Sequence, residues 1–295
     1  MTTRSVSVPF RVLQDHWRAV GPLVFDKRAQ QHILDEEPRS FPSGPDGFRE
    51  AWHAAAAVTP MDPWRMASLA RRLAESVHLP GDVIECGVWL GGSAIVMGQL
   101  LKRWGVNKRL VLLDSFKAMP GPNRDVDKFY GVGWLAADEN VTRGILHLAG
   151  VGDMVEIIPG WFRDTLPGLR HRQFCLAHLD ADMYEGTRTC FEEVVPRLSP
   201  GGAVVVDDCF DARWTAGRAV VERMMSTGER LYAGAGSQAW FRPGETWTPR
   251  GKGLQVDLSS WRSDASWRRA LKVLDRRVNA DARASARMTT TLTGR

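Results

Sequence analysis

The stretch GDVIECGVWLGGSAIVM, residues 81–97, decides how the rest of the chain is read. It opens on a short apolar run, passes through Gly87, Gly91 and Gly92, and enters a helical pattern expected over residues 93–104. A strand that feeds a helix through a glycine-rich turn is the first unit of an open α/β sheet, where ligands collect beyond the carboxyl ends of the strands. Glycines let the backbone approach a ligand closely, and the free N–H groups of the helix start favour a carboxylate or phosphate. The spacing G-x-x-x-G-G is not the G-x-G-x-x-G of a pyrophosphate-binding turn, so a cofactor with one carboxylate fits at least as well.

Working outward, strand and helix signals alternate: RLVLLD, a helix near 137–149, MVEII, QFCLAHLD, a helix over 185–198, GGAVVVDD, and a helix near 216–225. Strands that are apolar throughout predict a parallel sheet covered by helices on both faces. Two short segments, 231–233 and 238–241, separated by Gly234 and Gly236, predict a closing hairpin. Upstream, Trp64, Met66, Leu69, Leu73 and Val77 form the stripe of an amphipathic helix ended by Leu79-Pro80-Gly81. Residues 1–50, rich in proline and without a sustained period, read as an N-terminal arm, residues 51–245 as the domain, and residues 246–295 as a basic extension. Within that extension a helix from Asp264 carries Trp267, Leu271, Leu274 and Val278 on one face and is expected to dock.

A chain of 295 residues, 44% hydrophobic and 25% charged, accommodates one large α/β domain with extensions and excludes wholesale disorder. The formal charge of +5 is local, because residues 261–295 hold nine Arg or Lys against three Asp, a surplus of six that leaves residues 1–260 at −1. A nearly neutral body disfavours an extended nucleic-acid groove, so a nucleic-acid-binding or nucleic-acid-acting protein that uses the basic tail stays only as an alternative. No apolar run approaches the ~18 residues of a membrane span, and the N-terminus lacks the apolar core of a secretory signal. A cytoplasmic protein is expected. Cys86, Cys175, Cys190 and Cys209 show no C-x-x-C pair and read as buried thiols.

Asp114 ends the second strand, followed by Ser115, and a carboxylate there can accept ribose hydroxyls. With the glycine loop it predicts a nucleoside cofactor. Asp180 and Asp182 end the fourth strand, and Asp207 and Asp208 the fifth. If those strands are neighbours, four carboxylates meet at one edge, which is costly without a cation between them. Hard oxygen donors without a His/Cys set indicate magnesium, or calcium or manganese in its place. The competing reading, in which each aspartate caps a following helix, explains one per helix and not two pairs. His178, two residues before Asp180, reads first as a satisfied core group.

Five motifs in order, GDVIECGVWLGGSAIVM, LLDSF, IIPGWFRDTLP, LDADMYEGT and GGAVVVDD, resemble the macrocin O-methyltransferase family of antibiotic biosynthesis, whose members use S-adenosylmethionine and magnesium. The similarity spans roughly residues 81–218. It implies a class I methyltransferase, Rossmann-like α/β fold, with a mostly parallel seven-stranded sheet, helices on both faces and a reversed last strand. Carried over by position, Glu85, Gly87, Gly91 and Ser93 would hold the methionine part of the cofactor, Asp114 and Ser115 the ribose, and Gly160 and Trp161 would border the adenine. Thr59-Pro60-Met61 and Arg65 resemble a segment that closes over the cofactor. The metal ligands correspond to Asp180, Asp207 and Asp208, while Asp180, Asp182 and Asp208 remain alternatives for the catalytic base.

Several positions depart from the family pattern. His178 stands where the family tends to carry a different basic residue, no histidine follows it, and Cys209-Phe210-Asp211 replaces the usual aromatic after the paired aspartates. Trp89, Trp134, Phe210 and Trp214 are candidates to border an apolar acceptor, and residues 119–140 read as a lid. The expected reaction is methyl transfer from S-adenosylmethionine to a metal-chelated hydroxyl of a small molecule, a vicinal diol of a sugar on a glycosylated natural product. Catechol-type phenols are the alternative acceptor, and a non-catalytic scaffold the alternative class. The arm and the docking helix predict a homodimer.

Overall fold

Period-two alternation places successive side chains of each strand on opposite faces of one sheet, and both faces are apolar. The computed structural model describes residues 41–117, 119–120, 135–211, 214–246, 268, 271–276, 278–280 and 283. Its strands are β1 (Asp82–Cys86), β2 (Leu110–Asp114), β3 (Val155–Pro159), β4 (Phe174–Leu179), β5 (Leu198–Val206), β6 (Glu229–Ala233) and β7 (Ala239–Thr246). They form one seven-stranded sheet in the order β3-β2-β1-β4-β5-β7-β6. β1 pairs in parallel with β2 and β4, β2 with β3 and β4 with β5, whereas β7 runs antiparallel to both β5 and β6. The predicted hairpin thus supplies the reversed strand. Strand order turns around between β1 and β4, which opens the ligand crevice at their carboxyl ends.

The helices are α1 (Phe48–Ala55), α2 (Pro63–Ser76), α3 (Gly92–Arg103), α4 (Glu139–Leu148), the single turn α5 (Phe162–Thr165), α6 (Tyr184–Val194) and α7 (Ala216–Thr227). Val83, Leu112, Leu176 and Val205 face a layer built from α1, α2, α3 and α4, with Met66, Leu69, Leu73 and Ile95 fully enclosed. Ile84, Val111, Leu179 and Val206 face the other layer, where Phe191 and Val220 sit. α1 begins at Phe48, inside the stretch read as the arm, and buries Phe48 and Trp52 in the first layer.

α2 starts where Asp62 accepts hydrogen bonds from the N–H groups of Trp64 and Arg65, with Pro63 preset for a first helical turn. Its stripe is narrower than the sequence suggests: Trp64 is 40% exposed, while Met66, Leu69 and Leu73 are buried. In the tail, Leu271, Leu274 and Val278 are buried in the second layer. A Cβ on Gly217 of α7 would come within 2.8 Å of Leu271, so the tail helix packs on its own chain. Trp267, Trp134 and most of the expected lid lie outside the described residues, as does most of the arm. Among the described residues, no helix is long and apolar enough to cross a membrane.

Candidate active site

Two groups of residues face each other across the carboxyl ends of the strands. The first is the loop after β1. Gly87 holds φ at 95°, and a Cβ there would collide with the carbonyl oxygen of Asp180, so only glycine allows the ends of β1 and β4 to approach this closely. Asp180 N–H in turn donates to Cys86 O at 2.8 Å. Asp114 stitches the loop to β2: its Oδ2 accepts from the N–H groups of Val88 (2.8 Å) and Trp89 (2.9 Å), and its Oδ1 from that of Phe116 (2.8 Å). The carboxylate expected to read a ribose therefore also fixes the glycine loop. α3 follows Gly91 with no side-chain cap, which leaves its first N–H groups open to an anion.

Other expected cofactor residues gather around this loop. Thr59 is buried, and a Cβ on Gly92 would strike it, which places the Thr59 segment directly against the start of α3. Gly160 N–H donates to Asp114 O at 2.8 Å, bringing Gly160 and the half-buried Trp161 beside the end of β2. Ser115 Oγ accepts from Lys117 N–H at 3.1 Å in the same turn. Glu85 lies deeper than its expected role suggests. It is fully buried beneath the loop, where its Oε1 accepts from Ser93 Oγ and meets His178 Nδ1 at 2.7 Å. Among the described residues, Glu85 Oε2 and His178 Nε2 have no partner. Burial opposes charge on His178, but Glu85 and the aspartates Asp180 and Asp207 prevail and raise its pKa to about 9. His178 is thus half a core group: one ring nitrogen is satisfied and the other is not.

The second group is acidic. β4 and β5 are neighbours, and Asp180, Asp207 and Asp208 each offer an oxygen within 4.8 Å of the others. Asp207 is nearly enclosed, with Oδ2 at 2.5 Å from Arg65 Nη1 and Oδ1 accepting from Gln238 Nε2 at 3.0 Å. Asp208 Oδ1 accepts from Ser237 Oγ at 3.3 Å and lies 3.4 Å from Arg65 Nη1. Burial and the repulsion of Asp207 and Asp208 push the Asp180 carboxyl well above its ordinary range. Burial and Asp180 do the same to Asp182, which shares a hydrogen bond with Asp208. Asp208 rises to about 6 through burial and Asp207, with Arg65 working in the opposite direction. Burial is the largest cause of each of these shifts, and repulsion between neighbouring carboxylates adds to it.

The aspartates do not cap the helices that follow. The residues that precede α6 and α7, Met183 and Thr215, cap them with no side-chain hydrogen bond, and Asp182 offers only its backbone carbonyl to the N–H groups of Thr215 and Ala216. Asp182 itself adopts φ 54°, as do Trp89 (49°) and Phe116 (54°) in the loops after β1 and β2. Three non-glycine residues in the left-handed region at one sheet edge concentrate backbone strain around the site. Arg65 sits at the acidic edge of the crevice, beside Asp207 and Asp208. Gln238 and Ser237 were missed by sequence reasoning, since no local motif marks a hairpin turn that folds back onto β5.

The sheet order, the glycine loop and the acidic edge define a class I methyltransferase fold. A family model for macrocin-O-methyltransferase (TylF) matches residues 22–226, and the chain belongs to that family. It is 41% identical over 148 residues to the 8-demethyl-8-(2,3-dimethoxy-alpha-L-rhamnosyl)-tetracenomycin-C 4'-O-methyltransferase of Streptomyces olivaceus, covering 45% of this chain and 57% of the relative. It is 33% identical over 146 residues to the mycinamicin III 3''-O-methyltransferase of Micromonospora griseorubida, covering 45% and 58%. The chain thus spans little more than half the length of these curated relatives. Among solved structures, the O-methyltransferase NovP superposes with a TM-score of 0.56 at 26% identity, over 64% of this chain and 82% of NovP. The calicheamicin methyltransferase CalS11 superposes with a TM-score of 0.54 at 18% identity, over 71% and 98%, and shares the fold.

Proposed function

We propose that the protein is a magnesium-dependent S-adenosylmethionine O-methyltransferase that acts on a hydroxyl of a sugar carried by a glycosylated natural product. The observation that carries this function is the convergence of Asp180, Asp207 and Asp208 within 4.8 Å at the same sheet edge as the glycine loop. Three carboxylates with excess negative charge fit a hard dication, which when bound would acidify a chelated hydroxyl. In this reading Asp114 would hold the ribose, the open start of α3 the methionine carboxylate, and Gly160 with Trp161 the adenine, supported by their gathering around one loop. Thr59, packed on Gly92, closes this side. Asp182, held next to Asp208 at the acidic edge, is the group proposed to accept the proton released by the acceptor hydroxyl. The named activities of the tetracenomycin and mycinamicin relatives support a sugar acceptor in antibiotic biosynthesis.

The same proposal places the protein in the cytoplasm, where its four free cysteines stay reduced, and assembles it as a homodimer of chains organised as arm, domain and tail. Calorimetric titration with S-adenosylhomocysteine, with and without magnesium, is the first test. It is followed by transfer of labelled methyl to glycosylated macrolides and to catechols. Binding together with metal-dependent labelling of the sugar supports the proposal. Absence of cofactor binding in both conditions returns the glycine loop to a mere turn, and labelling of catechol alone moves the acceptor class. Sedimentation at the mass of one chain would refute the dimer.

A further inference from the structure

Arg65 reaches the acidic edge from the first turn of α2, and three elements build its position. At its base, Asp62 accepts the Arg65 N–H at 3.0 Å and also pairs with Nε at 3.0 Å. Along its stem, Gly236 in the β6–β7 turn leaves open the space in which a Cβ would lie 3.5 Å from Arg65 Cγ and Cδ. At its tip, Nη1 lies 2.5 Å from Asp207 Oδ2 and 3.4 Å from Asp208 Oδ1, while Gln238 occupies the other oxygen of Asp207. The side chain is only 16% exposed. A guanidinium keeps its proton in proteins, so this is a fixed positive charge among the carboxylates proposed to ligate the metal.

We propose that Arg65 is the resident counter-cation of the acidic edge, holding Asp207 when the dication is absent and competing with the dication for it. The inference rests on the metal centre proposed above. Three carboxylates whose oxygens lie within 4.8 Å of one another repel, and Arg65 offsets part of that repulsion in the metal-free protein. A dication arriving at the same carboxylates meets a like charge already bound to one of them. Metal affinity is then set below what the carboxylates alone would give. Arg65 acts through Asp207 and Asp208 in this scheme and is a positioning residue.

The test uses the full-length protein stripped of metal, titrated with Mn2+ and followed by electron paramagnetic resonance of the free ion. Arg65→Gln is expected to bind Mn2+ at least roughly tenfold more tightly than the native protein, because a like charge near the ion is removed. Arg65→Lys, which keeps the charge, is expected to remain near native affinity. In chelator Arg65→Gln should melt below the native protein, and saturating Mn2+ should close the gap. Unchanged or weaker Mn2+ binding by a folded Arg65→Gln overturns the competition alone, whereas no Mn2+ binding by any of the three overturns the metal centre and the competition with it. A measurement on the native protein needs no variant: the Arg65 guanidinium N–H signals should lose protection from solvent exchange when Mg2+ is added, and unchanged protection would overturn the proposal.

Discussion

The two halves of the crevice are built by different means. The cofactor half centres on one local loop and works through backbone geometry: Gly87 and Gly91 at positive φ, an uncapped helix start, and Asp114 gripping the N–H groups of Val88 and Trp89. The acidic half is assembled from side chains far apart in the chain, with Arg65, Asp180, Asp207, Asp208 and Gln238 meeting only because β4 and β5 are neighbours and the β6–β7 hairpin closes beside them. A binding loop made of backbone tolerates change in most of its side chains and almost none at its glycines. A charge cluster behaves in the opposite way, since each carboxylate and its partner are individually exposed to substitution.

The sharpest separation of the halves comes from Asp207→Asn. Methyl transfer is expected to fall roughly a thousandfold, the scale of losing one preorganised electrostatic contact, while S-adenosylhomocysteine binding stays within about twofold of native. Loss of cofactor binding in that variant would show that the halves are not separable. Gly87→Ala tests the other side. A methyl group directed at the Asp180 carbonyl, at a backbone angle that L residues avoid, should cost about 2–3 kcal/mol of stability in urea denaturation. A native midpoint would mean that β1 and β4 can separate without penalty.

Asp114→Ala removes the acceptor for three backbone N–H groups, and cofactor affinity is expected to drop about tenfold by calorimetry with Mn2+ affinity unchanged. A parallel fall in Mn2+ affinity would join the two halves through the loop. A further separation comes from pH. The Asp208 carboxyl is raised to about 6 from an ordinary 3.8, so in the metal-free protein the folded state binds more protons than the unfolded state between these values. The associated stability is fully present below pH 4 and is lost as pH rises through 6, an effect of up to about 3 kcal/mol. Magnesium should remove this loss by favouring the ionised carboxylates, so the gap between melting temperatures with and without the ion should widen from pH 4 to 7. A constant gap would argue against ion and proton sharing these oxygens.

The same contrast explains what could be read in advance. The strand–turn–helix unit at 81–97, the alternation of strands and helices along the chain and the closing hairpin are legible because periodicity and glycine spacing are local properties. The paired aspartates were visible for the same reason, and the neighbouring of β4 and β5 turned their spacing into a cluster. Contacts that depend on tertiary reach were not legible. Arg65 lies on a helix whose pattern predicts burial of its apolar stripe and says nothing of where a long cation on its first turn will end. Gln238 looks like the first residue of an ordinary strand. Glu85 was placed against the cofactor by its position in the loop motif, yet strand alternation turns it under the loop toward His178 and Ser93. Trp64 fitted the helical stripe and points to solvent instead.

Leu271, Leu274 and Val278 fill the outer layer against α7, far along the chain from β7. During synthesis every strand of the sheet therefore leaves the ribosome before the plug that seals its second face. A nascent chain arrested after Thr246 would already hold the glycine loop and all four aspartates, but it would present an open apolar wall around Gly217 and Cys209 to chaperones and proteases. The tail helix emerges after every one of these strands, so the wall is covered only in chains translated through it.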